Sequence, residues 1–242
     1  MLDKKPATIG GMFDGIAATY DRLNRILSFS TDQVWRRAAV RFLDVRDGHR
    51  VLDIATGTGD LALLALSKAR CSVVGIDLSG AMLSIAAPKM HQSGFADRTL
   101  FIRGDALRLP FRDCVFDRAM VAFGIRNMSG VGDFLDEVFR VLTEGGKIAI
   151  LEFSLPSNPL LRHLYMVYFS KLLPLIGGHM SGNSKAYRYL CDSVLGFSSP
   201  DTLKKLMQHH GYRINHSQQL FLGIAHLFIL QKYSIATHLT PP

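Results

Sequence analysis

Residues 51–60, Val-Leu-Asp-Ile-Ala-Thr-Gly-Thr-Gly-Asp, run from an apolar strand into a glycine turn and then into a helical pattern. Few local patterns restrict a fold as tightly. A strand joined to a helix by so short a turn is the first half of a βαβ unit, and it commits the chain to a parallel sheet with helices on its faces. The next apolar run, 72–76, ends at Asp77, about 20 residues beyond the turn. Open sheets of this kind bind ligands outside the carboxyl ends of their strands, so Asp77 and the glycine turn belong to one candidate site.

The alternation continues along the chain. Strands are predicted at 50–54, 72–76, 100–103, 116–123 and 147–153, and helices at 60–69 and 131–142. Ser79 is placed to cap the helix after the second strand, and Pro88 should kink or end it. Ser30 and Gln33 form a capping-box pattern before a helix whose apolar face carries Val34, Trp35, Ala38, Phe42 and Leu43. Gly145 is the expected stop of the 131–142 helix. Two segments break the rhythm. Residues 155–199 form an insertion rich in Leu, Tyr, Phe and Pro. After it, Pro200 opens a surface helix that Gly211 stops, and 212–219 and 224–233 read as an antiparallel strand pair at the sheet edge. The organisation expected is one domain over 1–242, with a helical cap segment at 1–46 and a substrate-cap insertion at 155–199.

The turn chemistry separates two ligand classes. A dinucleotide loop needs a third glycine so that a helix N-terminus can face a pyrophosphate, and here position 62 is alanine. Asp53 and Asp60 would repel a phosphate and favour a cationic ligand. With Asp77 to hold ribose hydroxyls, Asp105 to meet an adenine amino group and Ala106 to offer backbone contacts, the pattern points to S-adenosylmethionine (AdoMet), with Asp53, Gly57, Thr58 and Gly59 forming the loop around it. Asp53 has a second reading, as an acceptor for the loop's own amides.

Composition narrows the remaining classes. With 242 residues, 48% of them hydrophobic, the chain buries a core without disulfides. Its three cysteines, Cys71, Cys114 and Cys191, are too scattered for a disulfide framework or a zinc site, and read as small buried residues in a reducing compartment; no metal is expected. The net charge of +8 divides as +3 over 1–50, zero over 51–150 and +5 over 151–242, so any attraction for anions lies outside the central segment. No secretory signal is visible, and the most apolar stretch, 160–176, is broken by Arg162, His163, Lys171 and Pro174, too short to span a bilayer. The expected location is the cytoplasm, peripheral to the inner membrane face.

More specific signals flank the glycine turn: Met12-Phe13-Asp14-Gly15-Ile16-Ala17, Tyr20-Asp21-Arg22-Leu23-Asn24, Leu27-Ser28-Phe29, Phe123-Gly124-Ile125-Arg126-Asn127, Leu151-Glu152-Phe153-Ser154 and Tyr187-Arg188-Tyr189-Leu190. Through them nearly the whole chain resembles the ubiquinone/menaquinone biosynthesis C-methyltransferases. The resemblance implies an α/β, class I AdoMet-dependent methyltransferase fold, Rossmann-like, with a seven-stranded, mostly parallel sheet, an antiparallel edge and a helical substrate cap. It implies methylation of the ring of a polyprenylated quinol, a demethylated menaquinol or a ubiquinol precursor, with no nucleic-acid partner. Two positions depart from the family: Ala122 stands where serine is common near the cofactor, leaving a backbone contact only, and Ser30 stands where glycine is usual.

The chemistry required fits these residues. A ring carbon becomes nucleophilic when a neighbouring quinol hydroxyl loses its proton. A guanidinium is no ordinary base, its pKa being above ~12. Arg126 is therefore expected to stabilise the phenolate or orient a water that carries the proton away, with Asn127 holding the hydroxyl or that water and Tyr20 beside them. Arg126 as a structural ion pair and Tyr20 as a packed tyrosine are the plainer readings. The competing functions are an RNA methyltransferase, suggested by the basic balance, and a non-catalytic quinone-binding protein. Against the first, the fourth strand ends in Phe-Gly-Ile-Arg-Asn, not the Asn-Pro-Pro-Tyr type of motif used on exocyclic amines. Leu160, Leu161, Leu164, Tyr165, Tyr168, Phe169, Leu172 and Leu173, interleaved with Arg162, His163 and Lys171, predict a helix that rests on an anionic membrane.

Overall fold

Seven apolar runs become the seven strands of one sheet. They are β1 (Arg50–Ile54), β2 (Ser72–Asp77), β3 (Thr99–Arg103), β4 (Phe116–Ala122), β5 (Leu142–Phe153), β6 (Tyr212–Leu220) and β7 (Ala225–Lys232). A computed structural model describes residues 2–172 and 184–233, the side chains of Lys171, Leu172, Ser184 and Tyr187 excepted. The strand order is β3-β2-β1-β4-β5-β7-β6. The first five are parallel, and β7 runs antiparallel to both of its neighbours. The sequence order reverses between β1 and β4, which opens a crevice at their carboxyl ends.

Successive residues of a strand face opposite sides, and here both sides are buried. Val51, Val73, Met120, Ala149 and Leu227 pack beneath α3 (Thr31–Leu43) and α4 (Asp60–Lys68). Leu52, Ile54, Ile76, Val121, Ile150 and Phe228 pack on the other side, against α6 (Val131–Val141) and the helix Pro200–His209. Two helices precede α3: α1 (Pro6–Asp14) and α2 (Ala17–Leu27). α5 (Gly80–Gln92) follows β2, and the insertion supplies α7 (Pro159–Val167) and α8 (Ser184–Leu195). The helix Pro200–His209, with Ser199 accepting from the Thr202 amide at 3.2 Å and Gly211 at φ +83°, is α9.

Several local expectations are corrected. Ser30 makes no side-chain cap; it sits at φ +59°, a left-handed conformation that explains why glycine is usual there, and Gln33 instead donates to Asp60 at 3.0 Å. Val34, placed on the apolar face, is exposed. Pro88 does not end α5, because Met82, Ala86 and Met90 bury one continuous face on both sides of it. α6 ends at Val141, and Gly145, at φ +71°, lies within β5, where the register with β4 shifts. Ser79 does cap α5, accepting from the Met82 amide at 3.1 Å. Cys71 and Cys191 are buried, whereas Cys114 is exposed. No helix among the described residues is long and apolar enough to cross a membrane.

Candidate active site

The turn after β1 is built around Asp53. Its Oδ2 accepts from Thr56 Oγ1 at 2.6 Å and from the Ala62 amide at 3.1 Å, while Oδ1 has no partner among the described residues. The side chain is fully buried, and that burial pushes its pKa up to about 7 against the pull of Thr56 and Arg36. The carboxylate therefore clamps the loop onto the start of α4. Ala55 at φ +51° and Phe123 at φ +60° bend the ends of the adjacent strands β1 and β4. Left-handed residues other than glycine store strain, and here two of them stand at one crevice.

A narrow slot of about 80 Å³ opens beside that turn. It is lined by Gly57, Asp77, Asp105, Ala106 and Ala122, all expected in the cofactor site, and by Ala55 and Phe123. Gly57 adopts φ +55°, and nothing lies within 4 Å of the position a Cβ would take, so its backbone faces open space. Asp77 accepts from the Gly57 and Ser79 amides, each at 2.8 Å, and burial nevertheless raises its pKa. Asp105 accepts from the Leu107 amide at 3.0 Å. α1 closes the slot with Pro6, Ile9 and Phe13, and Lys4 is the cation on its wall. Asp14, at the end of α1, accepts from Ser79 Oγ at 2.5 Å and from the Ala81 amide at 3.0 Å, which fastens the helix to the start of α5.

Three expected cofactor residues lie elsewhere. Asp53 lines neither cavity, consistent with the loop-orienting reading. Thr58 donates to Asp21 at 2.6 Å and ties the turn to α2. A Cβ at Gly59 would stand 3.2 Å from Met90 Cε and 3.3 Å from Ala86 Cβ, so Gly59 serves the packing of α4 on α5. Asp60, expected to face a cationic ligand, is instead paired with Lys89 at 2.8 Å. Burial works to raise its pKa, but Lys89, Arg36 and Gln33 together hold it low.

A larger cavity of about 380 Å³ adjoins the slot, within the range of small-molecule sites. Phe13, Tyr20, Phe123 and Asn127 line both. Its walls are mostly apolar and rich in aromatic rings, with Trp35 from α3, Phe153 from β5 and Phe169 from the insertion. Arg126 lines it too, 4% exposed, and its guanidinium is committed. Nη1 donates to Glu152 Oε1 at 2.8 Å and to the Phe123 carbonyl, Nε donates to Ser193 Oγ at 3.3 Å, and the backbone amide reaches Glu152 Oε2 at 3.2 Å. The arginine is thus both a buried ion pair and a cavity wall. Asn127 donates to the Phe123 carbonyl at 3.4 Å and leaves its buried Oδ1 without a partner among the described residues. Tyr20, on α2, has its pKa raised by burial.

Sequence reasoning missed Glu152, although a carboxylate closing the apolar run Ile148-Ala149-Ile150-Leu151 was a readable signal. It also missed Trp35 as a cavity wall, and Asp32 with Arg36, a buried pair at 3.6 Å whose guanidinium lies over the Phe123 ring. The membrane stripe divides: Leu160 and Leu164 are exposed, Tyr165 and Phe169 are buried, and Leu173 lies outside the described residues.

The slot suits AdoMet in its donor set: carboxylates for ribose and adenine, small side chains at Ala55, Ala106 and Ala122, and an open glycine backbone. At about 80 Å³ the slot is narrower than sites for ligands of that size, and α1 forms one of its walls.

The model of the ubiE/COQ5 methyltransferase family matches residues 1–232. A ubiquinone/menaquinone biosynthesis C-methyltransferase UbiE from Geotalea daltonii is 44% identical over 233 residues, 96% of this chain and 99% of that protein. A demethylmenaquinone methyltransferase from Thermus thermophilus is 43% identical over 219 residues, 90% of this chain and 98% of that protein. Among solved structures, the [4+2]-cyclase SpnF superposes with a TM-score of 0.71 at 15% identity, covering 95% of this chain and 97% of its own. A SAM dependent methyltransferase from Aquifex aeolicus gives a TM-score of 0.57 at 16% identity, covering 81% and 89%. These structural likenesses speak to the fold alone, and they share the class I methyltransferase architecture.

Proposed function

The chain belongs to the ubiE/COQ5 methyltransferase family, and from that premise we propose that it methylates a ring carbon of a polyprenylated hydroquinone, a demethylated menaquinol or ubiquinol precursor, with AdoMet as donor. The observation that carries this reading is the shared wall. A small slot carrying Asp77 and Asp105 and a large cavity rich in aromatic rings meet at Phe13, Tyr20, Phe123 and Asn127, so a donor held in one and a ring held in the other face each other across a few side chains.

Gly57, Asp77, Asp105 and Ala106 are the residues that hold the donor, with a backbone contact from Ala122. When bound, AdoMet supplies an electrophilic methyl group that needs no metal to activate it. The larger cavity takes the ring and the start of its isoprenoid tail, and its aromatic walls exclude water. Asn127 Oδ1 is positioned to accept from the hydroxyl beside the methylated carbon, directly or through one water. Arg126 stabilises negative charge developing on that oxygen, held in place by Glu152 so that little reorganises during the reaction. Tyr20 completes this polar corner. Helices α7 and α8, with α1 and α2, act as the substrate cap around the two cavities.

The mouth of the larger cavity supports work at a membrane surface. Phe29 is 83% exposed, Leu222 67%, Leu164 and Phe221 58% each, and all four line the cavity. The net charge of +5 over 151–242 would favour anionic lipid.

The deciding experiment incubates the purified protein with AdoMet and reduced demethylmenaquinone or the demethylated benzoquinol, and reads the products by mass spectrometry. Gain of one methyl on either ring is expected. No methylation of either would overturn the reading.

A further inference from the structure

Among the described residues, four tyrosines line the larger cavity: Tyr20, Tyr165, Tyr168 and Tyr189. Their hydroxyls differ in how they are used. Tyr168 donates to the Leu27 carbonyl at 2.8 Å, a bond that ties the end of α7 to α2. Tyr20 stands beside Asn24. The hydroxyls of Tyr165 and Tyr189 are buried, and neither meets a partner among the described residues. Buried phenols almost always find one, and phenylalanine would fill an apolar wall at no desolvation cost. Two orphaned O–H groups around one cavity are therefore a sign of what the cavity is built to receive.

Their placement narrows it. Tyr165 lies on α7, its ring stacked on Phe169 at 4.9 Å. Tyr189 lies on α8, one turn before Ser193, so both present to the side on which Ser193 Oγ meets Arg126 Nε at 3.3 Å. Both hydroxyls lie in the field of the Arg126–Glu152 pair. Burial holds their pKa values above the ordinary phenol value, which keeps them as neutral donors. Asn127 Oδ1, also buried and without a partner among the described residues, adds an acceptor from a residue that lines the same cavity. Two spare donors and one spare acceptor in an aromatic chamber match a ring bearing two hydroxyls, each of which accepts and donates.

We propose that Tyr165 and Tyr189 donate hydrogen bonds to the ring oxygens of the hydroquinone and so select a doubly oxygenated ring over an apolar or singly oxygenated one. The inference rests on the methyltransferase reading above and adds the residues that recognise the acceptor. A site built to bond two oxygens rejects a ligand that lacks one, because the tyrosine left behind stays unsatisfied.

Trp35 is the single tryptophan of the chain and lines the same cavity, so its fluorescence reports occupancy without turnover. The probes are 2-prenyl-1,4-dihydroxynaphthalene, kept reduced under anaerobic conditions, and the two naphthols that each lack one of its hydroxyls. Tyr165→Phe and Tyr189→Phe are each expected to raise the dissociation constant of the diol about tenfold, and to leave AdoMet affinity within twofold. Each variant should lose no further affinity for the naphthol missing its own partner oxygen. In methylation assays the same variants should raise KM more than they lower kcat. Thermal unfolding of the unliganded variants adds a separate readout: removing an orphaned hydroxyl should not lower Tm, whereas removing one with a structural partner would. Diol affinity within twofold of wild type for both variants, with wild type active, overturns the tyrosine assignment alone. A wild-type protein that neither binds nor methylates the diol and its benzoquinol counterpart overturns the methyltransferase reading, and this assignment with it.

Discussion

Arg126 is a buried ion-pair partner to which a role in the chemistry is proposed above, and substitution separates the two. Its partner Glu152 is 1% exposed, so truncating the arginine strands a buried carboxylate. Arg126→Ala is expected to cost about 3–5 kcal/mol of unfolding free energy. Arg126→Lys keeps a charge near Glu152 but loses the planar fork that also reaches Phe123 and Ser193. It should keep most of the stability while lowering turnover at least tenfold. Urea unfolding beside steady-state rates checks both, and a lysine variant with wild-type turnover would remove Arg126 from the chemistry. Asp53 offers a test through pH. An unfolded aspartate titrates near 3.9, whereas in the fold this one titrates at about 7. Between those values the folded chain holds a proton that the unfolded chain has released, so stability falls as pH rises through that window and levels off above it. Asp53→Asn should flatten this part of the profile. Parallel urea midpoints for wild type and variant from pH 4.5 to 8 would contradict the shift.

At the scale of elements, strands were the legible part. β1 was predicted at its observed bounds, because an apolar run ending at a glycine turn admits few registers. The helix starting at Asp60 and the one starting at Pro200 were legible for similar local reasons. Errors arose where a distant partner outweighed local propensity. Gln33 left the capping box for Asp60 on another helix, and α5 ran through Pro88 because its buried face continued. The site followed the same division. Residues at strand ends can be placed by topology, and Asp77, Asp105 and Asn127 do line the cavities there. The pairing of Arg126 with Glu152, 26 positions apart, and the closure by α1 could not be seen in local pattern. That closure has a kinetic consequence. Asp14→Ala removes both bonds that fasten α1, so release of S-adenosylhomocysteine should accelerate about tenfold in stopped-flow experiments. Unchanged release would show that α1 is not the barrier.

For the whole molecule, exposed apolar side chains gather at one cavity and not at the other. Leu160 and Leu164 give the test, since both are exposed and substitution leaves the inward-facing Tyr165 and Phe169 in place. Wild type is expected to co-sediment with anionic vesicles, less with neutral ones and less in high salt, and Leu160→Glu/Leu164→Glu to stay in solution. Equal recovery in the supernatant under every condition would sink surface docking. The smaller slot, by contrast, has Pro6 and Ser129 as its exposed wall residues. If the protein docks on lipid in this way, the two ligands would come from different phases, the donor from water and the acceptor from the plane of the bilayer. Under that arrangement the bulk concentration of quinol does not set the rate; its mole fraction in the lipid does. Adding quinol-free vesicles that exchange lipid with the loaded ones should therefore slow methylation while every bulk concentration of reactant stays the same, the behaviour known as surface dilution.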